Sequence, residues 1–207
     1  MTRKNSSTLR SAAAMAGKRP SGSPATGSLV TLKVVLRHTK PPVWRRLVVA
    51  DSMTLGDLHR AIQAAMGWHG GHLHAFDIGG TQYGDPGTTD DVADENRLRL
   101  SALQKSRVTR FGYTYDFGDD WEHAVTIEKS APAGEGAPMA VCIAGKRNCP
   151  PEDCGGPWGY FRLLEILADK SHPEHAGQRE WLDEAFDPEA FSAASASARL
   201  GECFKRR

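Results

Sequence analysis

The first stretch of the chain that predicts ordered structure is rich in apolar and β-branched residues. It runs from Leu29 to Arg37, is interrupted at Pro41 and Pro42, and resumes from Val43 to Ala50. Both halves are rich in β-branched residues, which favour strands. The pattern predicts a β-hairpin whose loop is longer than a two-residue turn.

A helix and a third strand follow this hairpin. Apolar residues recur at helical spacing between residues 55 and 66. Thr54 is suited to cap the N-terminus with Asp57 at the third helical position, and Gly67 suits the C-terminal end. The segment His72–Ile78 then reads as a strand. This strand–strand–helix–strand order predicts a β-grasp-like N-terminal part.

The most regular pattern lies between residues 111 and 128. Aromatic residues occupy every second position up to Phe117, and Trp121, His123 and Val125 continue the alternation after an acidic, glycine-containing turn. Two period-2 runs around such a turn predict a β-hairpin with one aromatic face.

Helices are expected in the C-terminal third of the chain. We predict one from about residue 157 to 168, and Pro173 and Pro188 mark the first turns of two shorter ones. The predicted fold is therefore α+β, with the β-grasp-like part, the aromatic hairpin and the C-terminal helices around one core. The domain spans residues 29–191, and residues 192–207 form a C-terminal tail.

Residues 1–28 differ in composition from the rest of the chain. They are rich in Ser, Ala, Gly and Pro, and they carry five basic residues and no acidic one. Such a segment buries too little apolar surface to offset the entropy of ordering, so we expect a disordered tail. The same composition also fits an organellar transit peptide, with Met15 as an alternative start.

Charge is distributed unevenly along the chain. Eight of the 26 Lys and Arg residues lie in residues 1–28 and in the last three positions. The remaining 18 face 25 acidic residues, so the body carries a net charge of about −7. Duplex DNA binders neutralise phosphates with basic residues, and this body disfavours that class. We expect a cytoplasmic protein with reduced thiols and no membrane span.

The aromatic hairpin carries the first group of candidate site residues, Asp116, Asp119, Trp121 and His123. His123 shares a strand face with Trp121. It could be a general base tuned by a neighbouring carboxylate, or a core histidine with satisfied hydrogen bonds.

Three cysteines form a second candidate group. Cys142, Cys149 and Cys154 have the spacing C-x6-C-x4-C, which differs from the paired C-x2-4-C ligands of most structural zinc sites. Zinc ligation and plain buried thiols are both open.

The same loop ends at a predicted helix start. Gly155 and Gly156 would expose backbone N–H groups suited to an anion, but Glu152 and Asp153 precede them and could cap the helix instead. His72 and His74 lie two apart on a strand and form a third possible pair of metal ligands.

Two long motifs give the chain a family resemblance. Residues 113–123, with the sequence YTYDFGDDWEH, and residues 149–160, with the sequence CPPEDCGGPWGY, closely resemble the plasmid pRiA4b ORF-three-like family. The resemblance covers about residues 29–191. It implies an α+β fold and an association with bacterial or archaeal mobile DNA, and it implies no particular activity. Some relatives have been labelled resolvases, but neither a helix-turn-helix nor a basic body is evident here.

These features support three hypotheses. The leading one is a non-catalytic binding module, in which the hairpin and the 150–156 loop meet in one acidic, aromatic-lined cleft. Its partner would be a protein, a basic peptide or a small cation. The first alternative is a metal-assisted hydrolase with Asp116 and His123 as its acid–base pair and the Cys142–Cys154 loop on the metal. The second is a nucleic-acid-associated protein acting through its basic tails. The residues expected in the cleft are Asp116, Asp119, Trp121, His123, Glu152, Asp153, Gly155 and Gly156.

Deletion of residues 1–28 tests the tail assignment. We expect the thermal midpoint to stay within about 2 °C, because a segment without apolar anchors contributes little to stability. A fall of about 10 °C in a calorimetric scan would show that the segment docks on the body.

Overall fold

The structure, a computed structural model, describes residues 27–182 and 186–205. Within these residues the chain forms one eight-stranded sheet and five α-helices, which confirms the α+β class. No helix in the described part of the chain is long and apolar enough to cross a bilayer. The predicted N-terminal tail lies outside the described residues, apart from its last two positions.

The elements follow one another along the chain with these bounds: β1 Ser28–Leu36, β2 Trp44–Ala50, α1 Leu55–Met66, β3 His74–Ile78, β4 Thr81–Gly84, β5 Ala93–Asp94, a 3-10 turn Glu95–Arg97, α2 Leu100–Lys105, β6 Arg110–Tyr115, β7 Trp121–Pro132, β8 Ala140–Lys146, α3 Gly156–Ala168, α4 His175–Trp181 and α5 Ala193–Cys203.

The sheet has the strand order β5-β4-β3-β6-β7-β1-β2-β8. All neighbours are antiparallel except β4 and β5. The strand–strand–helix–strand order of the N-terminal part is present, and β3 pairs with β6 rather than with the first hairpin. The aromatic hairpin β6–β7 therefore occupies the centre of the sheet and joins its two halves.

Three strands were not predicted. Residues 79–96 contain none of the predicted elements, yet they form β4 and β5 at one edge of the sheet. The opposite edge is β8, which begins the cysteine-containing stretch. Strands β4 and β5 have only four and two residues, and β8 buries only Ala140 and Cys142, so the apolar periodicity of all three is weak.

The core forms where the inward face of the sheet meets the helices. In β1 the side chains of Val30, Leu32 and Val34 are buried, while Lys33 and Val35 on the other face are only partly covered.

Helix α1 begins with the predicted capping box. The Thr54 hydroxyl accepts the Asp57 N–H at 3.1 Å, and the Asp57 carboxylate accepts the Thr54 N–H at 3.2 Å.

A buried arginine fixes this helix to the sheet. Arg45 on β2 is 2% exposed, and its guanidinium donates to the carbonyls of Ala65 at the end of α1 and of Lys146 at the end of β8. Its guanidinium also lies 4.3 Å from the ring centroid of Phe191. A cation at a helix C-terminus is favourable, because the free carbonyls there carry partial negative charge.

The C-terminal region differs from the expectation. Residues 192–207 were assigned to a tail, but α5 packs on β8 and α1 and buries Ala196 and Leu200 completely. The Ser197 hydroxyl also exchanges hydrogen bonds with the backbone of Cys142 on β8. The apolar positions of α5 are few and small, so its sequence resembles a solvated segment. Pro188 precedes this helix by five residues and does not lie in its first turn.

Leu200→Ala tests whether α5 belongs to the core. Because Leu200 is fully buried, we expect urea unfolding to show a loss of about 2–5 kcal/mol. Leu73→Ala is the matched control, since Leu73 is 42% exposed and should cost less than about 1 kcal/mol. Equal small losses would mean that α5 contributes nothing to the folded core.

Candidate functional site

The turn of the aromatic hairpin contacts the loop that leads into α3, as the sequence predicts. The Asp119 carboxylate accepts the backbone N–H of Gly155 at 3.2 Å. Gly156 has φ 65°, and a Cβ there would lie 2.3 Å from the Asp119 carbonyl oxygen, so the approach requires glycine. The residue at the start of α3 is thus held by Asp119 from the hairpin, and not by Glu152 or Asp153 as the sequence suggested.

A cluster of aromatic rings supports this junction. Trp68, which follows α1, stacks on Tyr115 at 5.1 Å between ring centroids and lies 5.9 Å from Trp121. Its indole N–H donates to the carbonyl oxygen of Pro150 at 2.9 Å. One side chain therefore joins α1, the hairpin and the 150–156 loop.

Three possible metal ligands converge above this cluster. The Nδ1 atom of His72 lies 3.6 Å from Oδ2 of Asp116, and its Nε2 atom lies 3.3 Å from Oδ1 of Asp153. One ligand atom from each of the three residues lies within 4.8 Å of the other two. The residues come from the segment before β3, the end of β6 and the 150–156 loop. We call His72, Asp116 and Asp153 the His–Asp–Asp group.

Both carboxylates of this group are placed by unusual backbone. Asp116 has φ 59° and Asp153 has φ 60°, in the left-handed region that costs most residues about 1–2 kcal/mol. Aspartate tolerates this region better than bulkier residues do, and strain of this kind concentrates at functional sites. Asp116 is also 9% exposed, with Oδ1 accepting the N–H groups of Gly118 and Asp119.

Glu152 lies beside this group but forms hydrogen bonds with other residues. It accepts the Tyr115 hydroxyl at 2.5 Å and two N–H groups of His69, one from the backbone and one from the ring. Burial alone would raise the pKa of Glu152, but these hydrogen bonds outweigh it and lower the pKa. Burial and the Glu152 bond raise the pKa of Tyr115 well above its ordinary value.

Two residues expected in the cleft lie beneath it. Trp121 is 0% exposed and His123 is 1% exposed, so neither reaches a ligand. The rings of His123 and Trp68 are perpendicular, with their centroids 5.5 Å apart, and the Nδ1 atom of His123 lies 3.3 Å from the Tyr113 carbonyl oxygen. Burial lowers the pKa of His123 to about 4. Of the two alternatives, burial favours the core histidine over the general base, although the Nε2 atom of His123 has no hydrogen-bond partner among the described residues.

His72 and His74 do not act as a pair. His74 instead hydrogen-bonds to the buried carboxylate of Glu95 at 2.8 Å and stacks on His59 at 3.5 Å. His59 bonds to the Tyr113 hydroxyl at 2.8 Å. Because β3 begins only at His74, the period-2 rule that linked the two histidines does not apply to His72.

The three cysteines do not form a metal site among the residues that the structure describes, where the His–Asp–Asp group is the one set of three or more such ligands. Burial raises the pKa of all three thiols, that of Cys154 to about 12. Since no group of metal ligands in the described residues contains a cysteine, the geometry favours the alternative of buried and loop thiols.

Comparisons with known proteins agree with the predicted family. A model of the plasmid pRiA4b ORF-3-like proteins matches residues 28–195. The chain is 46% identical over 158 residues to the uncharacterised protein y4hQ of Sinorhizobium fredii, covering 74% of this chain and 80% of that protein. It is also similar to the crystal structure of a protein of unknown function, MM3350, from Methanosarcina mazei. That match has a TM-score of 0.75 at 38% identity, over 81% of this chain and 97% of the other.

The buried histidines predict a pH dependence of stability. Burial, and then the charges of His74 and Arg60, lower the pKa of His59 to about 3, and burial lowers that of His123 to about 4. Between about pH 6.5 and 4 these two histidines therefore bind protons in the unfolded chain but not in the folded chain. The free energy of unfolding should fall with decreasing pH in this window, by up to about 1.4 kcal/mol per pH unit for each histidine.

Urea unfolding at pH 7.5, 6.5, 5.5 and 4.5 measures this slope. His59→Gln is the matched variant, because an amide can still bond to the Tyr113 hydroxyl but does not titrate. Its slope should be smaller than that of the wild type. A stability that stays flat or rises from pH 6.5 to 4.5 would contradict the prediction.

Proposed function

The chain belongs to the plasmid pRiA4b ORF-3-like family, and within that family we propose that it is a binding module for a divalent cation held by the His–Asp–Asp group. The observation that carries the proposal is the convergence of His72, Asp116 and Asp153 to within 4.8 Å from three separate segments. A cation there would hold the three segments together.

Charge balance supports a cation at this position. With a neutral His72 ring the group carries two negative charges, and with a protonated ring it still carries one. Asp116 and Asp153 each contact a ring nitrogen of His72, and no lysine or arginine of residues 27–182 or 186–205 forms an ion pair with either carboxylate. A largely buried carboxylate such as Asp116 is costly without a counter-charge. A divalent cation would balance both carboxylates and leave His72 neutral.

The ligand types indicate which cations would bind. One imidazole nitrogen and two carboxylate oxygens suit Zn²⁺, Mn²⁺ or Fe²⁺ better than Ca²⁺, which takes six to eight oxygens. Asp153 is the exposed member, with 74% of its side chain accessible, so coordination positions would remain open on that side. Binding should weaken in acid, because a ligating imidazole must be neutral.

The same geometry favours some of the hypotheses on partner and function over others. A small cation is favoured over a basic peptide, because one ligand atom from each of the three residues lies within 4.8 Å of the other two, a separation that a single ion can span. The hydrolase alternative loses its acid–base pair, because His123 is buried, and the cysteines do not join the group. The basic tails of the nucleic-acid alternative fall almost entirely outside the described residues.

Calorimetric titration of the chelator-treated protein with Mn²⁺ and with Zn²⁺ tests the proposal. We expect one ion per chain. His72→Gln, Asp116→Asn and Asp153→Asn should each weaken binding at least about 10-fold, since each removes one of three protein ligands.

Asp120→Asn is the matched control. Asp120 lies in the same turn and has φ 54°, yet it is not part of the group, so its substitution should leave the affinity unchanged. Absence of binding would contradict the proposal. Zinc binding that survives His72→Gln and Asp116→Asn would also contradict it, and would favour the cysteines as the zinc ligands.

A further inference from the structure

A second surface at this junction is lined by residues outside the His–Asp–Asp group. The β1–β2 loop, the β6–β7 turn and the first turns of α3 surround a groove of about 820 Å³. We call it the Trp158 groove; the side chains used below are those of Lys40, Asp119, Asp120, Trp158 and Phe161.

Trp158 is the most unusual residue of this groove. It is 86% exposed, although it lies at the third position of a helix whose Tyr160 and Leu163 are buried. Tryptophan is rarely so exposed in a monomer, and it is enriched among the residues that carry most of the energy of protein interfaces. Phe161, one turn further along α3, continues the apolar wall.

The groove also carries charges of both signs. Lys40 comes from the β1–β2 loop and Asp119 and Asp120 come from the β6–β7 turn, and all three line the groove. Nearby, Arg37 and His38 are paired with Glu122, whereas within the described part of the chain neither Lys40 nor Asp120 forms an ion pair. A purely cationic or anionic partner would be repelled by the groove charges of its own sign.

We propose that the Trp158 groove is the contact surface of a homodimer, in which Trp158 of each copy enters the groove of the other. A two-fold contact places one patch against itself, so the patch must contain both the projecting group and the cavity, and both charges of each pair. The Trp158 groove has all of these. Lys40 of one copy would face Asp120 of the other, twice, around the two exchanged indoles.

Light scattering after size exclusion, or sedimentation velocity, tests this on the full chain. The wild type should have twice the chain mass of 22.5 kDa at tens of micromolar. Trp158→Ala should raise the dimer dissociation constant at least about 30-fold, as expected for a central interface tryptophan. Trp181→Ala, which changes a half-exposed tryptophan outside the groove, should remain dimeric.

A charge-reversal pair distinguishes this dimer from any other. K40E alone and D120K alone should each be monomeric at the same concentration, because each places like charges opposite one another twice. An equimolar mixture of the two should form a heterodimer, in which both pairs are attractive again. Circular dichroism confirms folding of each variant.

Three results would overturn the proposal: a monomeric wild type at about 100 µM, a dimer unaffected by Trp158→Ala, or no heterodimer from the mixed charge variants. None of these measurements depends on the cation, so this proposal and the cation site can fail separately.

Discussion

The site depends on the packing of Trp68. Its ring fills the space between Tyr115 and Trp121, and its N–H holds Pro150, so it joins the end of α1 to the hairpin and to the 150–156 loop. Together with the bonds of Glu152 to Tyr115 and His69 and of Gly155 to Asp119, this contact holds the loop that carries Asp153 close to His72. A buried aromatic ring with one satisfied polar atom supplies both packing energy and direction.

Elements with local signals could be predicted from the sequence. The capping box of α1 needs only Thr54 and Asp57, and the aromatic hairpin needs only a period of two around an acidic turn. Strands β4, β5 and β8 lie at the edges of the sheet, and α5 buries only Ala196 and Leu200. These elements are defined by contacts with distant residues, which a local pattern does not contain.

In the candidate site, too, local sequence signals could be predicted and long-range contacts could not. Asp116, Asp119 and Asp153 could be found because they lie in dense acidic motifs. The sequence did not reveal that Asp116 and Asp153 share His72, since that depends on how three segments meet. Trp121 and His123 were placed in the cleft because strand alternation gives a face but not its depth. In the fold that face lies in the core. Burial lowers the pKa of His123, so its ring is neutral near pH 7 and packs among its neighbours.

The two proposed surfaces are built from the same two segments. The hairpin turn supplies Asp116 to the proposed cation site and Asp120 to the Trp158 groove, and the following loop supplies Asp153 to one and leads into Trp158 of the other. The Asp119–Gly155 hydrogen bond and the close approach of Gly156 to the Asp119 carbonyl hold the two segments together. A constraint on the distance between Asp116 and Asp153 is therefore also a constraint on the walls of the groove. This shared junction gives a physical reason for the two long motifs to occur together: each is one side of a contact that neither could make alone.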